Sequence, residues 1–330
     1  MYYLVEGILV NDLKMSSSEV AQHYNSIEQR PIRERFRSDI IELRQFNNAM
    51  KSLMIFTAFK FAKQIPNEER ERLRILELGC GKGGDINKYL RDPRVGLIVG
   101  VDVADVSIEQ CKERFRAKNP EARSVKGYFF VADLTTTDIG PKLKELNCTD
   151  PFHIAASQFS IHYSFGSFDH AVSYISNAAK NLLRLGLFIG TYPDGPKLLK
   201  LARENSTSGE YKVKDILSVK FDPEHLNHPQ PFGTKYHFKL KEVVDCPEFL
   251  VHPEVLKKVM CDLGFVQIFD RPFEDHLREA SSSLTDGLKV RKIFEDHKGL
   301  KFDFDKRIAS LDEDMWAVAS IYRCFCYRKL

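Results

Sequence analysis

Short runs of hydrophobic residues alternate with amphipathic segments through the middle of the chain. The runs predict strands at residues 73–78, 95–101, 128–131, 153–159 and 187–192. The amphipathic segments predict helices that begin near Gly83, Ser107, Ile139, Phe168 and Pro196. Apolar strands separated by helices are typical of a parallel sheet that is covered on both faces. The pattern therefore predicts an α/β fold with a doubly wound, mostly parallel sheet.

Two helices are predicted before this region. Ser16 and Glu19 have the spacing of a capping box, which would open a helix that runs through Val20 and Tyr24. A second helix is predicted from about Ser38, because apolar residues follow at helical spacing. Asn47 and Lys51 lie on one face of that helix, since they are four residues apart.

The regular alternation of predicted strands and helices ends after about residue 205. There we predict a strand at 235–244, a helix at 253–262 and a last strand at 318–327, in which Cys324 and Cys326 alternate with Phe325. We interpret residues 16–330 as a single domain that carries an insertion at roughly 205–250. Residues 1–15 are interpreted as a short tail.

Composition places the chain among soluble globular proteins and limits how it can bind anions. Of the 330 residues, 43% are hydrophobic and 29% are charged, values close to the globular average. Lys and Arg number 49 against 46 Asp and Glu, which gives a net charge of +3. Bulk charge therefore does not explain nucleic-acid binding, and an anionic partner would need a local basic patch.

The cysteine content and the hydropathy of the chain further limit the class of protein. The seven Cys are an odd number without paired metal-ligand spacing, which favours a reduced intracellular protein with no metal site. No apolar stretch approaches the roughly 20 residues that a membrane span needs, so we expect no membrane association. The first ten residues contain Glu6 and no basic region, so we expect no signal peptide.

The most informative motif is a glycine-rich turn after the first predicted strand. Gly79, Gly81 and Gly84 match the pattern G-x-G-x-x-G, in which glycines let the backbone approach a bound nucleotide. Asp102 follows at the spacing of an acidic residue that binds ribose hydroxyls. NAD enzymes and methyltransferases share this signal, so the turn alone predicts only a nucleotide-containing cofactor.

Two carboxylates favour S-adenosylmethionine over NAD. Glu77 lies just before the first glycine, and Asp133 ends the third predicted strand, where it could accept from an adenine amino group. The sequence shows no group of residues suited to hydride transfer. We therefore expect S-adenosylmethionine as the cofactor.

Several further segments resemble one family. They are RQFNNAMK at 44–51, LGCGKGGD at 78–85, QFSIHYSF at 158–165, GTYP at 190–193, VVDCPEFL at 243–250 and SIY at 320–322. Together and in this order they closely resemble the eukaryotic mRNA cap (guanine-N7) methyltransferases, from about Val20 to the C-terminus. The resemblance implies a class I, Rossmann-like methyltransferase fold and methyl transfer to N7 of the terminal guanosine of GpppN-capped RNA.

The resemblance also implies roles for residues that match the family's motifs. Those implied to line the S-adenosylmethionine site are Lys51, Gly79, Asp102, Asp133, Gln158 and Tyr163. Those implied to contact the cap guanosine and its phosphates are Asn47, Asn48, Lys82, Lys88, Arg114, His162, Glu248 and Tyr322. At Ala49 the family usually carries Trp, so we expect looser packing beside the cap pocket.

The chemistry of guanine agrees with these roles. Its N1–H and exocyclic amino group are adjacent donors, and the ionised carboxylate of Glu248 can accept from both. His162 could donate to O6, and Phe159, Tyr163 or Tyr322 could stack on the base. Lys82, Lys88 and Arg114 would then provide dispersed cations for the triphosphate.

The expected reaction needs no acid or base. N7 carries a lone pair and no proton, so we predict direct in-line displacement without a covalent enzyme intermediate or a metal. Glu248, His162 and Tyr322 would contribute positioning and electrostatics. Two alternatives stay open at this stage, a non-catalytic cap-binding module and a methyltransferase that acts on another substrate.

Partners and location follow only from the expected function. We expect 5′-capped RNA as the partner, with a capping enzyme, the RNA polymerase II tail or a small activating subunit as further candidates. We also expect a nuclear monomer.

Overall fold

The structure is a computed structural model that describes residues 17–26, 38–65, 72–119, 125–204, 209–297, 300–303 and 308–330. Its strands are β1 Leu73–Leu78, β2 Val95–Asp102, β3 Lys126–Val131, β4 Phe152–Gln158, β5 Leu182–Pro193, β6 Glu210–Val213, β7 Leu217–Phe221, β8 Lys235–Leu240, β9 Val244–Phe249, β10 Phe265–Pro272, β11 Phe302–Asp303, β12 Ile308–Ala309 and β13 Tyr322–Lys329. Its α-helices are α1 Ser17–Ser26, α2 Ile41–Ala62, α3 Ile86–Tyr89, α4 Asp105–Lys118, α5 Gly140–Glu145, α6 Phe168–Asn181, α7 Gly195–Glu204, α8 Pro223–Asn227, α9 Pro253–Asp262, α10 Phe273–Ala280, α11 Leu284–Glu295 and α12 Glu313–Ala319.

Seven strands form the central sheet, in the order β10-β13-β5-β4-β1-β2-β3. The five strands from β5 to β3 are parallel, whereas β13 runs antiparallel to both β5 and β10. The carboxyl ends of β1, β2, β3 and β4 therefore meet at one edge, where open α/β sheets bind their ligands. This Rossmann-like sheet is the predicted fold.

Both faces of the sheet are buried. Along β1, Ile75 packs in a core with α2, and the next residue, Leu76, packs in a second core with α6. Successive side chains of a strand point to opposite faces, so a strand covered on both sides is apolar at most positions. This is the physical reason why the continuous apolar runs predicted buried parallel strands.

A second, four-stranded antiparallel sheet, β6-β7-β8-β9, lies within residues 210–249. Along β8 the side chains of Tyr236, Phe238 and Leu240 are buried, whereas His237 and Lys239 are exposed. One face of this sheet therefore packs inward and the other meets solvent. Its last strand, β9, carries Glu248.

The predicted elements are confirmed in the first half of the sheet and need correction later. The strand predicted at 235–244 is wrong at its end, because β8 stops at Leu240 and a turn with Glu242 at φ 60° leads into β9. The last strand was predicted to include Val318, which lies in α12 instead. The side chain of Asp312 caps α12 by accepting from the Met315 N–H at 2.7 Å, and this local bond outweighs the β-branched preference of Val318. The helix predicted near Gly83 is only Ile86–Tyr89.

Some predictions fall on residues that the structure does not describe. The tail at residues 1–15, Ser16 of the capping box and the side chain of Glu19 lie outside the described residues. Within the described ranges no helix is long and apolar enough to span a membrane.

Candidate functional site

The glycine-rich turn between β1 and α3 has a tightly fixed backbone. The Gly79 N–H donates to the carbonyl oxygen of Val101 at 2.8 Å, and Gly79 has a φ of +73°. A Cβ placed there would lie 2.5 Å from the Ser160 Cβ. Any larger residue would therefore have to push the neighbouring backbone away, so glycine is required by both conformation and space.

Asp102 anchors the same turn from the end of β2. Its Oδ2 accepts from the Gly81 N–H at 2.7 Å, and its Oδ1 accepts from the Ala104 N–H at 2.9 Å. Burial raises the pKa of Asp102, while these backbone donors act in the opposite direction. A carboxylate so placed has lone pairs left for hydroxyl donors of a bound ligand.

A cavity of about 700 Å³ opens above this turn. We call it the turn cavity. Its wall includes all six residues implied to bind the cofactor, namely Lys51, Gly79, Asp102, Asp133, Gln158 and Tyr163. Lys82 and Arg114, implied to contact the cap phosphates, also line it. The fold thus brings together residues that are more than 100 positions apart in the chain.

Two polar side chains in the wall of the turn cavity differ in how they are held. Asp133 follows β3 and accepts from the Thr135 N–H at 2.9 Å and from the Thr135 hydroxyl at 2.7 Å, which fixes a local turn. Gln158 accepts from the Thr191 hydroxyl at 3.1 Å, but its buried amide nitrogen has no hydrogen-bond partner among the described residues. A buried donor that lacks a partner is costly, so a ligand acceptor at Gln158 would stabilise the site.

A cluster of buried charges lies beneath the turn. Asp85 accepts from the Lys88 ammonium at 2.6 Å and from the Lys51 ammonium at 3.0 Å. These two cations lower the pKa of Asp85 despite its burial. Glu77 is also buried, and desolvation, reinforced by Asp85, raises its pKa well above the ordinary value. The cluster therefore holds Asp85 ionised and favours a protonated Glu77.

Lys88 is part of this cluster. Its side chain is only 10% exposed, and besides Asp85 it donates to the Asn48 Oδ1 at 3.3 Å and to the Gly84 carbonyl at 3.1 Å. In this structure Lys88 ties α2 to the glycine turn. The neighbouring Asn47 has a buried Oδ1 with no hydrogen-bond partner in the described part of the chain.

A second cavity of about 800 Å³ joins the first. We call it the hairpin groove, because α2 forms one side and the β8–β9 hairpin forms the other. Asn47, Asn48 and Lys82 line it, and it shares part of its wall with the turn cavity. The shared residues are Tyr24, Lys51, Gly81, Lys82, Ser107 and Phe159. Two ligands bound in the two cavities would therefore meet at this boundary.

Glu248 lies in a polar cluster beside the boundary, which we call the carboxylate cluster (His162, Tyr163, Tyr236 and Glu248). The Glu248 Oε2 accepts from the Tyr236 hydroxyl at 2.9 Å, and Oε1 lies 3.4 Å from the His162 Nε2 and 3.5 Å from the Tyr163 hydroxyl. Glu248 is 3% exposed. Each carboxylate oxygen has two lone pairs, so the cluster retains acceptor capacity.

The cluster is covered in this structure. Of its members only Tyr163 lines the turn cavity, and His162, Tyr236 and Glu248 line neither of the two cavities. Tyr322, outside the cluster, also lines neither cavity. Tyr24 on α1 lies against it, with its hydroxyl 2.9 Å from the Tyr163 hydroxyl and the two rings edge to face. A base that reaches Glu248 must therefore displace or slide past these two rings.

Aromatic residues form the other side of the boundary. Phe159 lines both cavities, and its ring packs edge-on against Tyr322 at a centroid distance of 4.9 Å. Phe159 has a φ of 55°, a strained value for a residue with a side chain, and its N–H is held by the Thr191 hydroxyl at 3.0 Å. Ala49, in contrast, is fully buried and lines neither cavity, so the replacement of the usual Trp lies in the core.

Sequence reasoning missed three residues of the site. Tyr24, Tyr236 and Asp85 were not assigned any role. Tyr236 pairs directly with Glu248 across the β8–β9 hairpin, a register that the predicted single strand at 235–244 concealed. Asp85 directly follows the glycines and is three residues before its partner Lys88, but its second partner, Lys51, lies 34 positions away on α2.

No metal site accompanies these residues in the described ranges, where no group of three or more His, Cys, Asp or Glu side chains is placed to hold an ion. The described site is built from backbone donors, carboxylates, lysines and aromatic rings.

Known proteins share this fold and sequence. A solved structure, the plantazolicin methyltransferase BamL, superposes with a TM-score of 0.50 at 13% identity, covering 95% of each chain. That likeness shows the fold alone.

Curated relatives are more closely similar. The mRNA cap guanine-N(7) methyltransferase of Caenorhabditis briggsae is 34% identical, and the match covers 87% of this chain and 73% of the relative. That of Drosophila melanogaster is also 34% identical, covering 79% of this chain and 61% of the relative. Enzyme 1 of that name in Oryza sativa subsp. japonica is 31% identical over 96% of this chain and 82% of its own length.

The family comparison covers nearly the whole chain. A family model for the mRNA (guanine-N(7))-methyltransferase domain matches residues 10–330, which include both cavities and the carboxylate cluster. With relatives above 30% identity over most of its length, the chain belongs to the mRNA (guanine-N(7))-methyltransferase domain family.

Proposed function

We propose that this protein transfers a methyl group from S-adenosylmethionine to N7 of the terminal guanosine of GpppN-capped RNA. The observation that carries the proposal is the meeting of two cavities at the glycine turn, with the Glu248 carboxylate beside their boundary. One cavity suits a nucleoside cofactor and the other suits a phosphate-bearing acceptor. Family membership supports the same reaction.

The residues of the turn cavity fit S-adenosylmethionine. Asp102 presents a carboxylate for ribose hydroxyls, the unpartnered amide nitrogen of Gln158 suits a ligand acceptor, and Gly79 leaves backbone space that a Cβ would fill. When bound, S-adenosylmethionine supplies an activated methyl group on a sulfonium with a neutral leaving group. The chain's own part is to bind and orient it.

Glu248 would recognise guanine by its Watson–Crick edge. One carboxylate can accept from N1–H and from the exocyclic amino group, and neighbouring Tyr236 holds Glu248 in place by donating at 2.9 Å. His162 flanks the same carboxylate and would donate to O6. Adenine presents no pair of adjacent donors at this edge, so the arrangement would select guanine.

Catalysis then depends on alignment and electrostatics. N7 has no proton to lose, so no residue needs to act as a base. Holding the two reactants in line can lower the barrier by roughly 7–11 kcal/mol. Positive charge develops on the guanine ring during transfer, and the buried Glu248 would bind the ring more strongly as that charge appears.

A panel of acceptors tests the proposal. Purified protein with methyl-labelled S-adenosylmethionine should label GpppA, while ApppA and an already N7-methylated cap should remain unlabelled. Labelling of ApppA would indicate another acceptor atom. Cofactor binding by calorimetry without any labelling would favour the non-catalytic cap-binding module.

We also propose the remaining biological context. Capped pre-mRNA arises in the nucleus, so we propose nuclear location, action as a monomer, and recruitment by a capping enzyme, the RNA polymerase II tail or a small activating subunit. Cell fractionation and affinity purification of the tagged protein test these points.

A further inference from the structure

The hairpin groove extends well beyond the residues implied to contact the cap. Asn47, Asn48 and Lys82 lie at its inner end, where it joins the turn cavity. The β8–β9 hairpin forms one side of the groove, where the Lys239 side chain is 61% exposed and that of Lys241 is 29% exposed. A ligand in the groove would therefore lie beside both lysines.

Cationic side chains outnumber carboxylates in the wall of the groove. Five cationic side chains line it, Arg44, Lys51, Lys82, Lys239 and Lys241, against two carboxylates, Glu242 and Asp245. Carboxylates outside the wall pair with two of these cations, since Asp85 pairs with Lys51 and both Asp39 and Asp215 pair with Lys241. The cations form the local group that an anionic partner needs when bulk charge is balanced.

Between these cations the floor is apolar. Ile40, Leu43 and Leu240 line the groove and are buried, and Val243 and Val244 are partly buried beside them. Cations above an apolar surface suit a chain of nucleotides, whose phosphates carry charge while bases and sugars offer apolar faces.

The hairpin lysines are held by exposed ion pairs. Lys239 pairs with Asp245 at 2.8 Å, and Lys241 pairs with Asp215 at 2.7 Å and Asp39 at 2.8 Å. The three aspartates are 47% to 74% exposed. Exposed pairs of this kind contribute at most about 1 kcal/mol, so a phosphate can replace the carboxylates at little cost.

We infer that the hairpin groove binds the phosphodiester backbone that follows the first transcribed nucleotide of a capped RNA. The inference rests on the proposed function and adds an RNA subsite to it. With guanine at the boundary of the cavities and the triphosphate beside Asn48 and Lys82, the rest of the RNA must leave the site. The groove adjoins these two residues and carries further cations along the hairpin.

The test compares two acceptors in two variants. A capped ten-nucleotide RNA and the dinucleotide GpppA are methylated by wild type, by Lys239→Ala and by Lys239→Ala/Lys241→Ala. Lys258→Ala serves as the control, because Lys258 is also an exposed, ion-paired lysine but lies on α9, outside both cavities. The single variant keeps the test valid if the double variant folds poorly.

The expected result is a selective loss on RNA. The ratio of kcat/KM for capped RNA to that for GpppA should fall about threefold in the single variant and about tenfold in the double variant at low salt. The slope of log KM against log salt for RNA should decrease by about 0.7 for each lysine–phosphate interaction that the substitutions remove. The control should keep the wild-type ratio and slope.

Three outcomes would overturn the inference. A wild-type ratio in both variants would show that the groove is not used by RNA. An equal loss on both acceptors would assign the lysines to the cap or to folding. If wild type methylates neither acceptor, the proposed function itself fails, which distinguishes that failure from the loss of the RNA subsite alone.

Discussion

Glu248 is the residue on which recognition of guanine depends in this account. Its carboxylate is buried and accepts a hydrogen bond from Tyr236, so solvent screens its interactions only weakly. We expect Glu248→Gln to lower kcat/KM by about 10- to 100-fold, since a hydrogen bond to a charged group is worth roughly 1.5–3 kcal/mol. Part of the loss should appear in kcat, because the carboxylate binds the charged ring of the transition state more tightly.

Steady-state kinetics on a capped dinucleotide measure this effect. Glu254→Gln is a matched control, because the Glu254 side chain is 73% exposed on α9. A kcat equal to that of wild type, with only KM raised, would contradict the electrostatic role and leave Glu248 with ground-state binding alone.

Glu77 should make stability depend on pH. Burial and the neighbouring Asp85 raise its pKa well above the ordinary value, so the folded state binds a proton that the unfolded state releases above about pH 4.3. The free energy of unfolding should therefore fall as the pH rises from about 4.3 towards the raised pKa, by up to about 1.4 kcal/mol per pH unit. Asp85, with its pKa lowered, contributes in the opposite direction and only under strongly acidic conditions.

Glu77→Gln keeps the shape of the protonated carboxyl and removes this titration. Urea unfolding of the cofactor-free protein between pH 5 and 8 should show a flatter profile for Glu77→Gln than for wild type. Glu109→Gln, at a side chain that is 65% exposed, should keep the wild-type slope. Parallel profiles for all three proteins would mean that Glu77 is ionised in the folded state.

At the scale of elements, the turn between β1 and α3 tests whether its glycines are structural requirements. Gly79→Ala forces a φ of +73° on alanine and places its Cβ 2.5 Å from Ser160, so we expect a loss of at least about 2 kcal/mol in stability. Gly81→Ala carries backbone strain alone, since no atom of the described residues lies within 4 Å of a Cβ at this position, and should cost about 1 kcal/mol.

Gly84→Ala is the control within the same turn. Its φ is not in the left-handed region and the nearest atom, the flexible Lys51 Nζ, lies at 3.6 Å, so we expect a change below about 0.5 kcal/mol. Urea unfolding and calorimetric cofactor affinity measure the series. Equal stability of the Gly79 and Gly84 variants would contradict the described backbone of the turn.

The central sheet and this turn show which parts of the fold can be predicted from sequence patterns. Strands β1, β2, β4 and β5 were predictable because they lie inside the sheet and carry runs of apolar residues, and the glycine spacing marked the turn that joins β1 to α3. The start of α12, which Asp312 caps, and the short span of α3 were not apparent from the apolar pattern.

The carboxylate cluster shows why other site residues could not be predicted from the sequence. Tyr236 reaches Glu248 through the register of a hairpin, and Tyr24 reaches Tyr163 from 139 positions away. Such contacts leave no periodic signal. Glu248 and His162 could be assigned to the site only because the motifs around them resemble those of the mRNA cap (guanine-N7) methyltransferases. That both side chains are buried is visible only in the structure.

At the scale of the whole molecule, the central sheet and the smaller sheet each supply one part of the site. The edge of the central sheet carries the turn cavity, and β9 of the smaller sheet carries Glu248. Tyr163, in the segment that follows β4 of the central sheet, contacts β9 of the smaller sheet, since its hydroxyl lies 3.5 Å from the Glu248 Oε1. The proposed reaction requires both parts, since one orients the methyl donor and the other selects the acceptor.

The position of the added methyl group on the cap is the most direct test of the proposed reaction. Purified protein is incubated with S-adenosylmethionine and GpppA-capped RNA, and the cap is released by nuclease and analysed by mass spectrometry that locates the added methyl group. We expect a single methyl group on N7 of the cap guanine, formed in the presence of a metal chelator. A methyl group at any other position, or none on a protein that binds the cofactor, would contradict it.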